Sequence, residues 1–304
     1  MSLSLWVFDV GRGLCVAIRT PNNHLVVIDC GCSEDFSPIL ALAQYSKFWT
    51  GREGFALTEL IITHPHTDHI ADIATVSRLL PPAFILRRQD LDWRRLTSNA
   101  TPSEALGHYA QKYLAPNYPP PLPYTTPSVW GDGMSLWTYC LHEATASKLS
   151  KTDSAYVNNT SIVTVIKYRA YTIVVHGDIE AEGLDALLAQ EPGLIGLVAA
   201  NRGVFGQLVA GVDFLITPHH GHASGFSNAW FRLTGPTRIC NIVSERRLGP
   251  GEDPKQAEID SRYSDAKYSL GVNAEQRRMV STKTVQALEI LIADEGKWSW
   301  NVTK

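Results

Sequence analysis

The amino-acid sequence predicts an α/β protein built around a shared core of strands and helices. Three observations predict it. Short apolar runs recur from residue 3 to residue 302, segments of helical spacing lie between them, and neither a Gly/Ser-rich linker nor a tandem repeat divides the 304 residues. With 44% hydrophobic residues the chain can fill a sizeable core. One two-layer domain over 1–304 is therefore expected.

The elements follow in chain order. "LSLWVFDV" (3–10), "LCVAIRT" (14–20) and "HLVVIDCG" (24–31) are three strands joined by the turns "GRG" and "PNN". "SPILALAQYSKFW" (37–49) has helical spacing behind a Ser-Pro start. The strand "LTELIIT" (57–63) runs into a histidine loop, "HIADIATVSRLL" (69–80) reads as a helix, and "AFILRR" is a strand after the Pro81-Pro82 break. From about 97 to 129 regularity fails, apart from a helix at "SEALGHYAQKYL" (103–114). "APNYPPPLPYTTP" carries too many prolines for a strand or a helix interior, so a Pro-rich surface insertion, placed as a lid, is expected.

Strand signals resume at "MSLWTYCLH" (134–142), "SIVTVIKY" (161–168) and "YTIVVHGD" (171–178). The helix "EAEGLDALLAQ" (180–190), the strand "VDFLITPHHGH" (212–222), the helix "FSNAWFRLT" (226–234) and the strand "RICNIVS" (238–244) come next. Residues 245–278 read as a charged flap, and "ALEILIADEGKWSWNV" as a closing hairpin.

Composition narrows the function. A net charge of −3 gives no global attraction to nucleic acid or to an anionic membrane, so any basic surface is local, as at Arg87-Arg88, Arg94-Arg95, Arg246-Arg247 and Arg277-Arg278. The five cysteines have no C-x-x-C spacing and read as reduced thiols of a cytoplasmic protein, Cys30 and Cys32 among them. No signal peptide is evident, and no apolar run approaches the ~18–20 residues that span a bilayer. No membrane partner is expected.

The chemistry sits in "THPHTDHI". His64, His66, Asp68 and His69 crowd two imidazoles, then a carboxylate and an imidazole, into a loop that ends at a helix. That pattern suits two adjacent cations. Imidazole with carboxylate favours Zn, Mn or Fe over Mg or Ca. "VDFLITPHHGH" repeats the design of a strand ending in histidines.

These residues resemble the H-x-H-x-D-H signature of the metallo-β-lactamase fold. Asp29 in "VVIDCG" resembles the buried aspartate that supports the loop, Asp178 in "VVHGD" the bridging carboxylate, and "PHHGH" the segment carrying the last ligand histidine. The resemblance implies an αββα sandwich of two mixed β-sheets flanked by helices. Within that superfamily "FDVGRGLCVAIRTP", "NNTSIVTVIKY" and "HGDIEAEGL" are similar to the soluble hydrolase domain of ComEC-type competence proteins and their stand-alone relatives, over Trp6 to Trp300. Three positions depart: "VGRGL" replaces "VGQGD", His176 replaces Thr or Ser, and "HHGH" brings His222 in place of Ser.

The resemblance implies that His64 and His66 hold one metal, that Asp68, His69 and His220 hold the other, and that Asp178 bridges them. Of the pair His219 and His220 it favours His220 as ligand, leaving His219 to orient it. Many relatives supply a third histidine to the first metal in a "GHT"-like turn. Here that place reads "VNNTSIV", so Asn158 or Asn159 stands there, and a neutral amide predicts a weaker cation on the His64/His66 side and a preference for Mn over Zn. His142 and His176 are the alternative imidazoles.

The expected function is metal-dependent hydrolysis of a phosphodiester, in nucleic acid or a nucleotide-like small molecule, using two divalent metal ions (Zn or Mn), a bridging hydroxide, and Asp68 and Asp178 as catalytic carboxylates. Arg87 and Arg88 follow the metal loop and are candidates for binding phosphate. Hydrolysis of a lactone, thioester or β-lactam on the same metals, and a non-catalytic metal-stabilised binding module, are the alternatives.

Overall fold

The computed structural model describes residues 2–11, 13–50, 57–92, 95–96, 103–114, 130–189, 205–245, 248, 251, 253–271 and 277–303. Its strands are β1 (Leu3–Phe8), β2 (Val16–Arg19), β3 (Leu25–Ile28), β4 (Glu59–Ile61), β5 (Phe84–Leu86), β6 (Met134–Tyr139), β7 (Val163–Tyr168), β8 (Tyr171–Val175), β9 (Phe214–Ile216), β10 (Cys240–Val243), β11 (Met279–Ser281), β12 (Ala287–Ile292) and β13 (Trp298–Thr303). They form two mixed sheets, ordered β13-β12-β1-β2-β3-β4-β5 and β11-β10-β9-β8-β7-β6.

The central strands β3, β8 and β9 are apolar on both faces because both faces are covered. Leu3, Leu5, Val7, Val26, Ile28 and Ile61 of the first sheet meet Ile166, Ile173, Val175, Phe214 and Ile216 of the second in a layer between the sheets. The alternate residues Leu25, Val27 and Leu60 pack outward on helices α1 (Pro38–Thr50) and α3 (Ile73–Leu79), with the short helix α2 (Thr67–Ile70) between these two in the chain. Val163, Val165, Val174 and Leu215 pack on the other outer side, against Leu184, Leu187, Trp230 and Phe231. The expected αββα sandwich results.

The expected helix 69–80 is broken in two, at Ala71-Asp72. The His69 carbonyl accepts the Cys30 amide at 2.8 Å, and the Asp72 amide donates to the Cys30 carbonyl at 2.8 Å. Groups that a continuous helix would pair internally are thus used to tie the histidine loop to the end of β3. Helix α4 (Glu104–Tyr113) starts at Ser103, as its capping hydroxyl requires. Two short helices that periodicity misses, α5 (Glu143–Leu149) and α6 (Asp153–Asn159), are capped by the His142 ring and the Thr152 hydroxyl. His142 is therefore a helix cap at the end of the β6 segment.

Beyond β8 come α7 (Ala181–Leu188), the single turn α8 (Phe205–Leu208) and α9 (Asn228–Thr234). The closing hairpin is β12-β13, with β12 antiparallel to β1. The described part of the flap is irregular but packed. The Asp260 amide donates to the Gly221 carbonyl, and Tyr263 and Tyr268 pack edge-on against Phe226. The proline-rich segment "APNYPPPLPYTTP", expected as a lid, lies outside the described residues, as do Arg94, Arg246 and Arg247. Among the described residues no helix is long and apolar enough to cross a membrane, and the five cysteines are free thiols.

What positions the site is strand direction. β3 and β4 run parallel with Ile28 opposite Ile61, and β8 and β9 run parallel with Val175 opposite Ile216. Asp29, the His64 loop, Asp178 and the His219-His220 turn therefore all emerge from the C-terminal ends of parallel strands.

Candidate metal centre

Asp29 organises the first half of the site. Just after β3 it takes a left-handed backbone, φ 57°, which Asp tolerates better than most residues. Its fully buried carboxylate accepts the Thr63 amide at 2.7 Å, the Thr63 hydroxyl at 2.6 Å and His69 Nδ1–H at 2.7 Å. Burial pushes this carboxyl up, and the His69 and Thr63 contacts pull it part of the way back. Because the Thr63 hydroxyl gives its proton to Asp29, its oxygen accepts from His64 Nδ1 at 3.1 Å. One carboxylate thus sets two tautomers, leaving Nε2 of both His64 and His69 to face the cluster.

The second half turns on two consecutive non-glycine residues with left-handed backbones, His219 (φ 47°) and His220 (φ 54°). Each costs about 1–2 kcal/mol relative to ordinary backbone. Local bonds hold them: the His219 amide donates to the Gly177 carbonyl, and His220 Nδ1 donates to the Ser244 carbonyl at 3.1 Å. His220 Nε2 then faces the carboxylates. His219 instead places its ring on the Ser224 hydroxyl at 2.7 Å, which His222 also contacts at 2.9 Å. Of the adjacent pair, His220 enters the cluster.

The groups converge. His64 Nε2 and His66 Nδ1 are 3.0 Å apart, and Asp178 lies 3.2 Å from both His69 Nε2 and His220 Nε2, one through each oxygen. Asp68 is 3.8 Å from His220 Nε2. Ligand atoms of His64, His69 and Asp178, and likewise of Asp68, His69 and His220, fall within 4.8 Å of one another. His69 belongs to both sets. Its Nε2 and that of His220 are buried and make no hydrogen bond of acceptable geometry, although each is close to an Asp178 oxygen.

Charge supports the same reading. Burial pulls His64 and His66 below the ordinary histidine range, which leaves their lone pairs available. Burial also opposes charge on His69 and His220, but Asp178 with Asp29, and Asp178 with Asp68, outweigh it and raise both, His220 to about 9. Burial alone would raise Asp68 and Asp178; the neighbouring imidazoles reverse it and hold both carboxyls low. The carboxylates demand positive charge beside them, which is why they raise both imidazoles. A divalent cation on the same nitrogens and oxygens meets the demand, so the donor set fits a metal centre.

Glycines let the loops close on it. A Cβ on Gly13 would lie 1.8 Å from the Asp68 carbonyl oxygen, and one on Gly31 would lie 2.6 Å from the same atom. Beside the cluster opens a cleft of about 470 Å³, lined by His66, Thr67, Asp68, Ser154, Asn158 and Asp178 among others.

Several sequence expectations are redistributed. His176 does not join the cluster; it follows Val175 onto the helix side, with its ring edge-on to Trp230 at 4.5 Å and Nδ1 at 3.3 Å from the Ile216 carbonyl. Asn159 is committed to helix capping: its oxygen accepts the Glu180 amide and its nitrogen donates to Ser150. Asn158 alone of the two lines the cleft. Thr63, Ser161, whose hydroxyl accepts the Asp178 amide, and Ser244 were not foreseen.

Arg87 and Arg88, expected as candidates for binding phosphate, are both buried and neither lines the cleft. Arg88 is bidentate to Asp90 at 2.7 Å and donates to the Leu141 carbonyl, joining the two sheets' loops. Arg88→Ala should therefore lower stability by about 2 kcal/mol, the worth of charged hydrogen bonds. It should leave the salt dependence of substrate binding alone. Chemical denaturation and KM at two salt concentrations check this, and a flattened salt slope at unchanged stability would return Arg88 to substrate binding.

A family model described as the metallo-beta-lactamase superfamily matches residues 8–194. None of the curated proteins matches the chain. Among solved structures it is similar to the metallo-beta-lactamase fold protein YhfI from Bacillus subtilis, at 13% identity and TM-score 0.43 over 99% of this chain and 100% of that one. It is also similar to a diphosphatase of the PhnP family, at 11% and 0.40 over 100% and 98%. A third is zinc-bound PqqB from Methylobacterium extorquens, at 12% and 0.36 over 70% and 71%.

Proposed function

The chain belongs to the metallo-β-lactamase superfamily, made up mostly of metal-dependent hydrolases, and from that premise we propose that it hydrolyses a phosphodiester, in nucleic acid or a nucleotide-like small molecule. The observation that carries the reading is the pair of overlapping ligand sets sharing His69 beside a polar cleft. His64 and His66 would hold one cation, Asp68, His69 and His220 the other, with Asp178 between them. Bound there, two divalent cations lower the pKa of a water and neutralise charge on the attacked group.

The chain's own residues do the positioning. Asp29 fixes the tautomers of His69 and, through Thr63, His64; the Ser244 carbonyl does the same for His220. Ser161 holds the Asp178 backbone. Apart from Ala71 and Cys32, the residues lining the cleft are polar. That favours a hydrated anionic substrate over the apolar acyl part of a lactone, thioester or β-lactam. The resemblance of several segments to ComEC-type hydrolase domains supports the same substrate class, and the free thiols support a cytoplasmic setting.

The test is substrate profiling. Protein reconstituted with Mn or Zn is incubated with linear DNA, RNA, cyclic nucleotides, an aryl phosphodiester, a lactone and a thioester. Turnover confined to the phosphodiesters is expected. Turnover of the lactone or thioester alone, or metal uptake with no turnover of any of them, would overturn the proposal.

A further inference from the structure

We propose that Asn158 supplies a neutral oxygen ligand to the cation on the His64/His66 side, and that Glu180 is the positioning residue that aims it. The inference rests on the two-cation reading of the cleft. Asn158 is 3% exposed, lines the cleft and lies against His66. Its Nδ2 donates to Glu180 Oε1 at 3.2 Å, while its Oδ1 is buried beside the His66 ring without a hydrogen bond of good geometry.

The orientation of that amide follows from chemistry. A carboxylate can only accept, so only Nδ2 can face Glu180, and Oδ1 must point the other way, towards His66 and the cleft. A buried amide oxygen left unsatisfied is costly and uncommon. A cation beside it would use it, and a neutral oxygen suits Mn better than Zn.

Glu180 is itself held. Its backbone amide donates to Asn159 Oδ1 at 3.1 Å, and Asn159 Nδ2 donates to the Ser150 hydroxyl at 3.0 Å. Gly183 makes room for this, since a Cβ there would lie 2.3 Å from Asn159 Oδ1. The two neighbouring asparagines divide the work: Asn159 fixes the Glu180 backbone, and the Glu180 carboxylate fixes Asn158.

The experiment titrates metal-free protein with Mn(II), read by calorimetry and by the electron paramagnetic resonance of free Mn(II), at about pH 8, far above the ordinary carboxylate range. Two steps are expected for the unaltered protein. Glu180→Gln is isosteric but can donate to Asn158 Oδ1, letting the amide turn and present its nitrogen to the cation. One step should weaken by about 10–100-fold while the other holds, and Asn158→Ala should weaken the same step.

Asn158→Asp presents an oxygen whichever way it turns, so in that background Glu180→Gln should no longer weaken the step. A merely structural role would not produce that dependence. Circular dichroism verifies the fold of each isosteric variant. Two unchanged steps in both Glu180→Gln and Asn158→Ala would overturn the proposal and leave the two-cation reading intact, as would equal weakening by Glu180→Gln in both backgrounds. Failure of the unaltered protein to bind Mn(II) at all would overturn both.

Discussion

Asp178→Asn should abolish turnover and strip metal from the protein while leaving the fold in place. Asp178 is 4% exposed, its amide is held by Ser161, and its two oxygens each meet a different imidazole at 3.2 Å. An asparagine keeps that shape but has one acceptor oxygen, so it can face His69 or His220 and must turn an NH2 towards the other. It also removes the negative charge against which both imidazoles are balanced. Turnover should fall by about 10³-fold or more, the scale of losing one electrostatic anchor in a buried site. Bound metal, counted by elemental analysis, should fall with it, and the far-ultraviolet circular dichroism should be unchanged. Full activity with added metal would rule out a shared carboxylate.

The candidate site was legible because four of its residues are local, His64, His66, Asp68 and His69 lying within six positions, and because Asp178 and His220 each follow an apolar run and match the pattern of the family the sequence resembles. What orients these residues was not, because Asp29 reaches Thr63 across 34 residues, Ser161 reaches Asp178 across 17 and Ser244 reaches His220 across 24. His176 could have been placed from parity alone. Ile173 and Val175 face the inter-sheet layer and Val174 the helices, so the next residue returns to the helix side; Gly177, at φ 62°, then redirects Asp178.

The arginine pair misled for a different reason. Charged side chains are seldom buried, and the Leu141 carbonyl that Arg88 meets is 53 residues away. The break between α2 and α3 was hidden in the same way, in backbone bonds to Cys30. In the left-handed turn that ends at Gly221 (φ 76°), the two preceding left-handed positions are His219 and His220, neither of them the glycine or asparagine that would announce such backbone.

Asp29→Asn should cripple the site from outside it, by changing a tautomer. In the native protein Oδ1 accepts the Thr63 amide, and that amide has no second role, so it demands an acceptor there. The asparagine oxygen must take that place, which leaves its NH2 where Oδ2 met the Thr63 hydroxyl and His69 Nδ1. An NH2 donates, so His69 Nδ1 must become the acceptor and its proton must move to Nε2, the nitrogen that faces Asp178. A protonated Nε2 cannot hold a cation. The Thr63 hydroxyl, losing its acceptor, also ceases to be a dependable acceptor for His64. Metal affinity should fall by about 10–100-fold, as when the partner of a ligating imidazole is removed, and turnover should fall at least as far, since tautomer errors of this kind are severe. Loss of the buried charged bonds should also cost about 2–3 kcal/mol of stability. Nitrogen-15 correlation spectra of the metal-free proteins, recorded above the pH at which His69 loses its imidazolium proton, should place the remaining proton on Nε2 in Asp29→Asn and on Nδ1 in the unaltered protein. Thr63→Val, which removes the hydroxyl link but keeps the Asp29–His69 bond, should cost less in both affinity and turnover. Unchanged metal affinity in Asp29→Asn, or a larger loss in Thr63→Val, would show that the two imidazoles are oriented by something other than this carboxylate.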